Sequence, residues 1–178
     1  MSVNADTLLI RQLGPADRDA YFQFRLRGLK AHPASFGQSY DEALAKGAAQ
    51  HDATLLGSEA EGTFLLGAYV SADAPLIGAV GLLRNRADKE RHKAHVVGMY
   101  IAHEAAGRGI GRALLSELLT RAARIDGLRQ VQLTVGSRND AARRLYESLG
   151  FRKYGCEVES LNVDGVFHDE DLMARFLP

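Results

Sequence analysis

The chain has 178 residues, 46% of them hydrophobic, which is enough for one domain with a real core and short for two. Its 22 basic side chains balance 22 acidic ones, so no net field steers it toward nucleic acid or an anionic membrane, and a small partner is expected. A single cysteine, Cys156, excludes an intrachain disulfide and a cysteine-based zinc site.

The opening Met-Ser-Val-Asn-Ala-Asp has neither a basic start nor an apolar core, and no run approaches about 18 consecutive apolar residues. Neither an export signal nor a membrane span is therefore expected, and the cytoplasm is the default compartment. Residues 7–13 read as a first strand stopped by Gly14-Pro15. From residue 16 to about 31, Ala20, Phe24, Leu26 and Leu29 form an approximate helical stripe that ends before Pro33. Residues 33–40 carry turn formers with Phe36 and Tyr40, and residues 41–50 read as a second, weaker helix. Two apolar runs, 63–70 and 75–83, flank Ser71-Ala-Asp-Ala and predict adjacent antiparallel strands. After a polar break at 85–91 comes a strand over 94–102, inside which Gly98 marks a bulge or a close backbone approach.

That strand runs into a glycine-spaced turn. Gly107, Gly109 and Gly111 alternate with Arg108 and Ile110, so the backbone can turn tightly with its amides facing outward. Opening a helix, those amides lack intrahelical acceptors and sit at the positive end of the dipole, which makes a cradle for a phosphate or pyrophosphate. A Walker loop would need Lys-Ser or Lys-Thr where Arg112-Ala113 stands, and a dinucleotide fingerprint would need a small residue at Arg112 or Leu114; neither fits. Leu114, Leu115, Leu118, Leu119 and Ala122 carry the following helix to an expected end near Gly127. Residues 131–135 then alternate as a strand, which closes a βαβ unit with parallel strands. Residues 139–151 read as a capped helix, with Asn139 as N-cap, Ala142, Leu145, Tyr146 and Leu149 on neighbouring faces, and Gly150 just past the end. A hairpin of 151–160 and 167–176 around Val163-Asp164-Gly165 ends the chain.

Two of these stretches resemble the motifs of the GNAT N-acetyltransferase superfamily. The acyl-CoA signature Q/R-x-x-G-x-G/A is met by Gly109 and Gly111, with Ala106 where Gln or Arg is usual and His103 where a proline is often found. The companion N-x-x-A-x-x-L-Y-x-x-x-G-F is matched at every defined position from Asn139 to Phe151. The resemblance is strong over residues 78–151, looser over 7–70 and architectural beyond. It implies an α/β (α+β) fold spanning 1–178 as one domain. The central sheet would be mixed and mostly antiparallel, of about six to seven strands flanked by about four helices, with a splayed parallel pair holding acyl-CoA.

The implied reaction moves an acetyl group from acetyl-CoA to a primary amine of a small molecule, a peptide N-terminus or a lysine by direct attack on the thioester. By the same resemblance, Gly107, Arg108, Gly109, Ile110, Gly111 and Arg112 hold the pyrophosphate. The main chain of Met99, Tyr100 and Ile101 holds the pantetheine and thioester, with one N–H available to an oxyanion. Asn139 touches the cofactor. Tyr146 touches it too and either donates a proton to the departing thiolate or simply packs. An alkylammonium must lose a proton before attack; His95, four residues before Met99, is the chosen base, with His92, Glu104 and ordered water as alternatives. No metal is expected, because His92 and His95 fall on opposite faces of a strand, and nothing around Cys156 suits a covalent carrier. The acceptor pocket is expected from residues 36–40, the 85–91 break and the final hairpin, and the acids Asp41 and Glu42 are explained as helix-start residues. A non-catalytic acyl-CoA sensor is the alternative, a nucleotide-binding protein a distant third, and a homodimer is left open.

Overall fold

A computed structural model describes residues 8–178; the opening hexapeptide and the first residue of the expected 7–13 strand lie outside the described residues. The strands are β1 (Leu9–Gln12), β2 (Thr63–Tyr69), β3 (Gly78–Arg84), β4 (Lys93–Ile101), β5 (Gln130–Gly136), β6 (Arg152–Val163) and β7 (Val166–Phe176). The helices are α1 (Arg18–Ala31), α2 (Tyr40–Lys46), α3 (Asp52–Leu55), α4 (Ile110–Ala122) and α5 (Asp140–Ser148). One sheet runs in the order β1-β2-β3-β4-β5-β7-β6. Every neighbouring pair is antiparallel except β4 and β5. This is the mixed sheet with a single parallel pair that the βαβ reading requires.

The two sides of the sheet are covered by different helices. Tyr100 points toward α1, where its ring lies 4.9 Å from that of Phe24. Met99, one residue earlier, points the other way and reaches the start of α4 beside Gly111. The leucine stripe read in α4 is the core of that second side: Leu114, Leu115 and Leu118 are completely buried, each contributing about 1.5–3 kcal/mol relative to exposure.

Three local expectations are corrected. The helix expected over 41–50 stops at Lys46, because Gly47 turns with φ 70°, and Gln50 folds back to donate to the carbonyls of Ala43 and Gly47. The chain then makes a short turn and the unforeseen α3, so among the described residues five helices flank the sheet where about four were expected. Helix α4 ends at Ala122, well before Gly127: the N–H groups of Arg124 and Ile125 turn to the carbonyls three residues back, and Ile125 and Leu128 are buried on the irregular path that follows. The Asp164-Gly165 turn behaves as read, with φ of 51° and 83°, both positive as a two-residue type I′ hairpin turn demands. Beyond the Gly136–Glu170 pair β5 ends, and past the bond from Ser137 N–H to Asp169 O, 2.9 Å, the tips of β6 and β7 pair only with each other, with the 33–35 turn alongside.

The expected bulge lies in β4. Against β3, Val97 pairs with Gly81 and Tyr100 with Ala79, so three steps on β4 answer two on β3. The extra residue includes Gly98, held at φ 61° with Tyr21 Oη 3.3 Å from where a Cβ would stand. On its other flank β4 meets β5 at only three pairs, Lys93–Gln130, Ala94–Val131 and His95–Gln132, after which the strands part. Gly98→Ala is expected to cost about 1–2 kcal/mol, the penalty of a left-handed residue with a side chain, read as a lower urea midpoint at unchanged slope.

Candidate active site

The parting of β4 from β5 opens a cavity of about 230 Å³, whose walls include Met99, Tyr100 and Ile101 on one side and Thr134, Val135 and Gly136 on the other. Asn139, Leu145 and Tyr146 of α5 close it from one face, and His32, Ser35 and Phe36 from the other. Main-chain groups on this flank of β4 have no strand partner beyond His95, so they are available to an extended ligand. The sequence marked Met99–Ile101 through the motif that follows them, but β5 carried only strand alternation and nothing that singled out its end.

At the far end of β4 the glycine turn forms as expected. Gly107 and Gly109 take φ of 74° and 76° in open space, and Gly109 is the N-cap of α4 without a side-chain cap. The first main-chain bond there is from Ala113 N–H to Gly109 O, 3.0 Å, and among the described residues the amides of 107–112 have no acceptor. Gly111 serves a different need: a Cβ there would come 3.1 Å from Met99 Cε, so it sets how closely α4 approaches β4. Arg112 is turned away, donating to Ser148 Oγ at 2.9 Å, whereas Arg108 is exposed with no side-chain partner among the described residues. Ala106, exposed just before the turn, offers only main chain.

The motif over 139–151 is a helix with both ends tied. Asn139 Oδ1 accepts from Ala142 N–H at 3.1 Å. At the other end Gly150, φ 87°, donates to Glu147 O at 3.0 Å and Phe151 N–H to Tyr146 O at 3.1 Å, the paired bonds of a Schellman motif. Phe151 is fully buried and its ring meets that of Tyr146 edge-on, 6.1 Å between centroids. The cap therefore fixes the tyrosine. Its hydroxyl donates to Met99 Sδ at 3.7 Å, across the gap, and burial pushes the phenol up to about 12. The loop before α5 is pinned as well: Ser137 Oγ donates to the buried Asp171 of β7 at 2.7 Å, and Lys153 holds that carboxylate below its usual range. Cys156 is exposed, its Sγ 3.8 Å from Ser137 Oγ.

The candidate bases separate clearly. His95 is half-buried on the face that α1 covers, opposite Gln132, and does not line the cavity. Burial, with Lys93 nearby, lowers its imidazole below the ordinary value. Glu104 is held by Arg27 at 2.8 and 3.0 Å, which keeps it ionised and low, unsuited to take a proton near neutrality. His92 is exposed and contributes its carbonyl, which accepts from Arg129 and Gln130. Of the three expected acceptor walls, residues 36–40 and the hairpin, through Ser160–Asp164, do meet, around a cleft of about 570 Å³. The 85–91 break does not: it precedes β4, and the cavity lies at the strand's other end. Glu42 is committed to a capping box with Ser39.

The model of the acetyltransferase (GNAT) family matches residues 29–151. The N-alpha-acetyltransferase RimI of Mycobacterium tuberculosis is 40% identical over 100 residues, covering 54% of this chain and 60% of that protein, so the match spans less than two thirds of the relative. A GNAT acetyltransferase structure from Kribbella flavida superposes with a TM-score of 0.82 at 25% identity, covering 98% of this chain and all of that one. The structure of YncA from Salmonella typhimurium, which contains acetyl-CoA, gives a TM-score of 0.75 at 23% identity over 96% of this chain and 94% of that one.

Because Gly150 has open geometry around a Cβ, with Arg175 Cδ 3.6 Å away, Gly150→Ala isolates the backbone cost of the cap. About 1–2 kcal/mol of stability is expected to go, with loosened near-ultraviolet signal from Tyr146.

Proposed function

The chain belongs to the acetyltransferase (GNAT) family, and from that premise we propose that it transfers an acetyl group from acetyl-CoA to a primary amine by direct attack. One observation carries the reading: the only parallel strands among the described residues separate after three pairs, and the gap leads from a row of acceptor-free amides to a buried phenol. The cradle fits a pyrophosphate, since its amides are unspent and its two left-handed glycines leave open space before them. Gly107 to Arg112 would hold that group by main chain, with Arg108 the charge at hand. The main chain of Met99, Tyr100 and Ile101 would hold the pantetheine arm and stabilise an oxyanion. Asn139 spends Oδ1 on the helix cap and keeps its amide nitrogen for the cosubstrate.

Acetyl-CoA supplies an activated thioester; the amine nitrogen forms the new bond to the acetyl carbon as the carbon–sulfur bond breaks. The chain's part is to manage two protons. Tyr146 holds its proton at Oη throughout the neutral range and directs it toward a sulfur, Met99 Sδ, on the side of the gap where the leaving sulfur would lie. His95, neutral near pH 7 because burial lowers it, receives the proton of the amine through water. No helix among the described residues is long and apolar enough to cross a membrane, and we place the enzyme in the cytoplasm. Ala106, which lacks the usual polar side chain, is what favours the second reading, a binding module without turnover.

Calorimetry with acetyl-CoA, CoA, ATP and NAD, followed by thiol release with mixed primary amines, tests the assignment. Micromolar affinity for CoA forms alone and amine-dependent release are expected. Binding without release selects the module, and no CoA binding removes the proposal. Tyr146→Phe is expected to lower kcat by about 100-fold or more while leaving acetyl-CoA affinity and the pH profile unmoved, since a group titrating near 12 adds no limb near neutrality. The base acts when deprotonated, so activity should rise with pH through a limb below the ordinary imidazole value of about 6.5, and His95→Gln should remove it. An unchanged limb in His95→Gln would move the base elsewhere.

A further inference from the structure

Behind the bulge, on the face that α1 covers, three polar side chains meet with almost nothing to bond. Arg25 and Tyr21, one turn apart on α1, bring Nη1 within 3.9 Å and Oη within 3.3 Å of the place a Cβ would take at Gly98. His51, just before α3, sets its ring edge-on to Tyr21 with centroids 4.9 Å apart. Arg25 Nη1 and His51 Nε2 are both enclosed and have no hydrogen-bond partner. The acids on the adjoining elements are engaged elsewhere: Asp19 and Asp52 lie against Arg18, and Glu104 against Arg27. Among the described residues nothing anionic faces the guanidinium.

The Arg25 side chain is nevertheless held in place. Its guanidinium carbon lies 4.3 Å from the centroid of the Phe36 ring, a stacking that fixes the fork and leaves its N–H groups unspent. Burial lowers both Arg25 and His51, and the Arg25 charge lowers His51 further, which leaves a fixed cation beside a neutral ring. A partly buried guanidinium without a counter-ion is costly, and the group that matches its fork is a carboxylate. The position adds the second constraint. Phe36 stands in the wall of the cavity beside Met99 and Tyr100, and Arg25 lies behind that ring and next to the bulge, outside the cavity wall itself. A carboxylate bonded at about 2.9 Å to the part of the fork that is not enclosed would keep an amine on the adjacent carbon within a few ångströms of the bulge.

Resting on the acetyl-transfer reading above, we propose that Arg25, with His51 beside it, binds the carboxylate of the acceptor, and that the acceptor is a free α-amino acid. A peptide N-terminus offers an amide at that position and leaves the guanidinium without a counter-ion.

The test is thiol release from acetyl-CoA with the common L-amino acids, each beside its α-amide, using wild type, Arg25→Gln and Arg25→Lys. At least one amino acid is expected to exceed its amide in kcat/KM by about 30-fold or more. Arg25→Gln should bring that ratio near one, chiefly through the KM of the acid, and Arg25→Lys should retain part of it. The wild-type ratio decides even if a variant does not fold. Amides used as well as acids, or release with other amines and no amino acid, overturns the carboxylate assignment and leaves acetyl transfer standing. So does an Arg25→Gln enzyme slowed equally on acid and amide, the behaviour of an arginine that only braces Phe36. No release with any acceptor overturns the transfer reading, and this inference with it.

Discussion

Three residue pairs are all that join β4 to β5, and the geometry of the site follows from where that pairing stops. A parallel ladder continued to the end of both strands would bury its main-chain groups in one another. Here the bulge at Gly98 shifts the alternation of β4, so that Tyr100 joins Val97 on the layer of α1 and Met99 faces α4, and past His95 the edge toward β5 is left unpaired. The separation is wedged from both sides: Tyr100 is drawn toward Phe24 of α1, and Tyr146 of α5 reaches across to Met99. A gap in a sheet is costly when nothing fills it, because backbone groups without partners must find water or a ligand. This one is lined at its mouth by side chains and continues toward a helix start with free amides, so one extended, anionic molecule could satisfy both.

The two motifs owe their legibility to opposite causes. The turn over 107–112 is legible because its function is carried by backbone conformation, which glycine alone records. The helix over 140–148 is legible because its ends are tied by side chains with few substitutes: an asparagine at one end, a glycine in left-handed conformation at the other, and a buried phenylalanine that packs on the tyrosine. Gly107 and Gly109 are required by φ and Gly111 by the methyl of Met99, a distinction that spacing alone could not make.

What the sequence did not reveal is equally physical. Helix boundaries failed where tertiary burial outweighed periodicity, as at Ile125 and Leu128, or where a glycine broke a polar segment, as at Gly47. The 85–91 segment looked like a site loop since it is polar and precedes the important strand, but a polar loop carries no record of which end of a strand it occupies. Arg25 was the least visible. It is one of several arginines on a helix whose charged positions read as a solvated face, and only the packing of Phe36, Tyr21 and His51 around it shows that it is half-buried, with Nη1 enclosed. His95 was singled out by its place on β4, yet where it stands relative to the gap, whose wall it does not join, depends on the bulge, which is a property of pairing.

The free end of the β6–β7 hairpin gives the site an asymmetric stiffness. One wall of the acceptor cleft is the start of α2 and the segment before it, braced by a capping box and by Arg25 stacked on Phe36. The other is the hairpin tip, which toward Val163 and Val166 has no third strand beside it and meets only the 33–35 turn. A two-stranded ribbon has less to hold its shape than a sheet of three or more strands. Bending of that one wall would therefore change the width of the cleft without disturbing the gap between β4 and β5, which is packed from α1 on one side and α5 on the other.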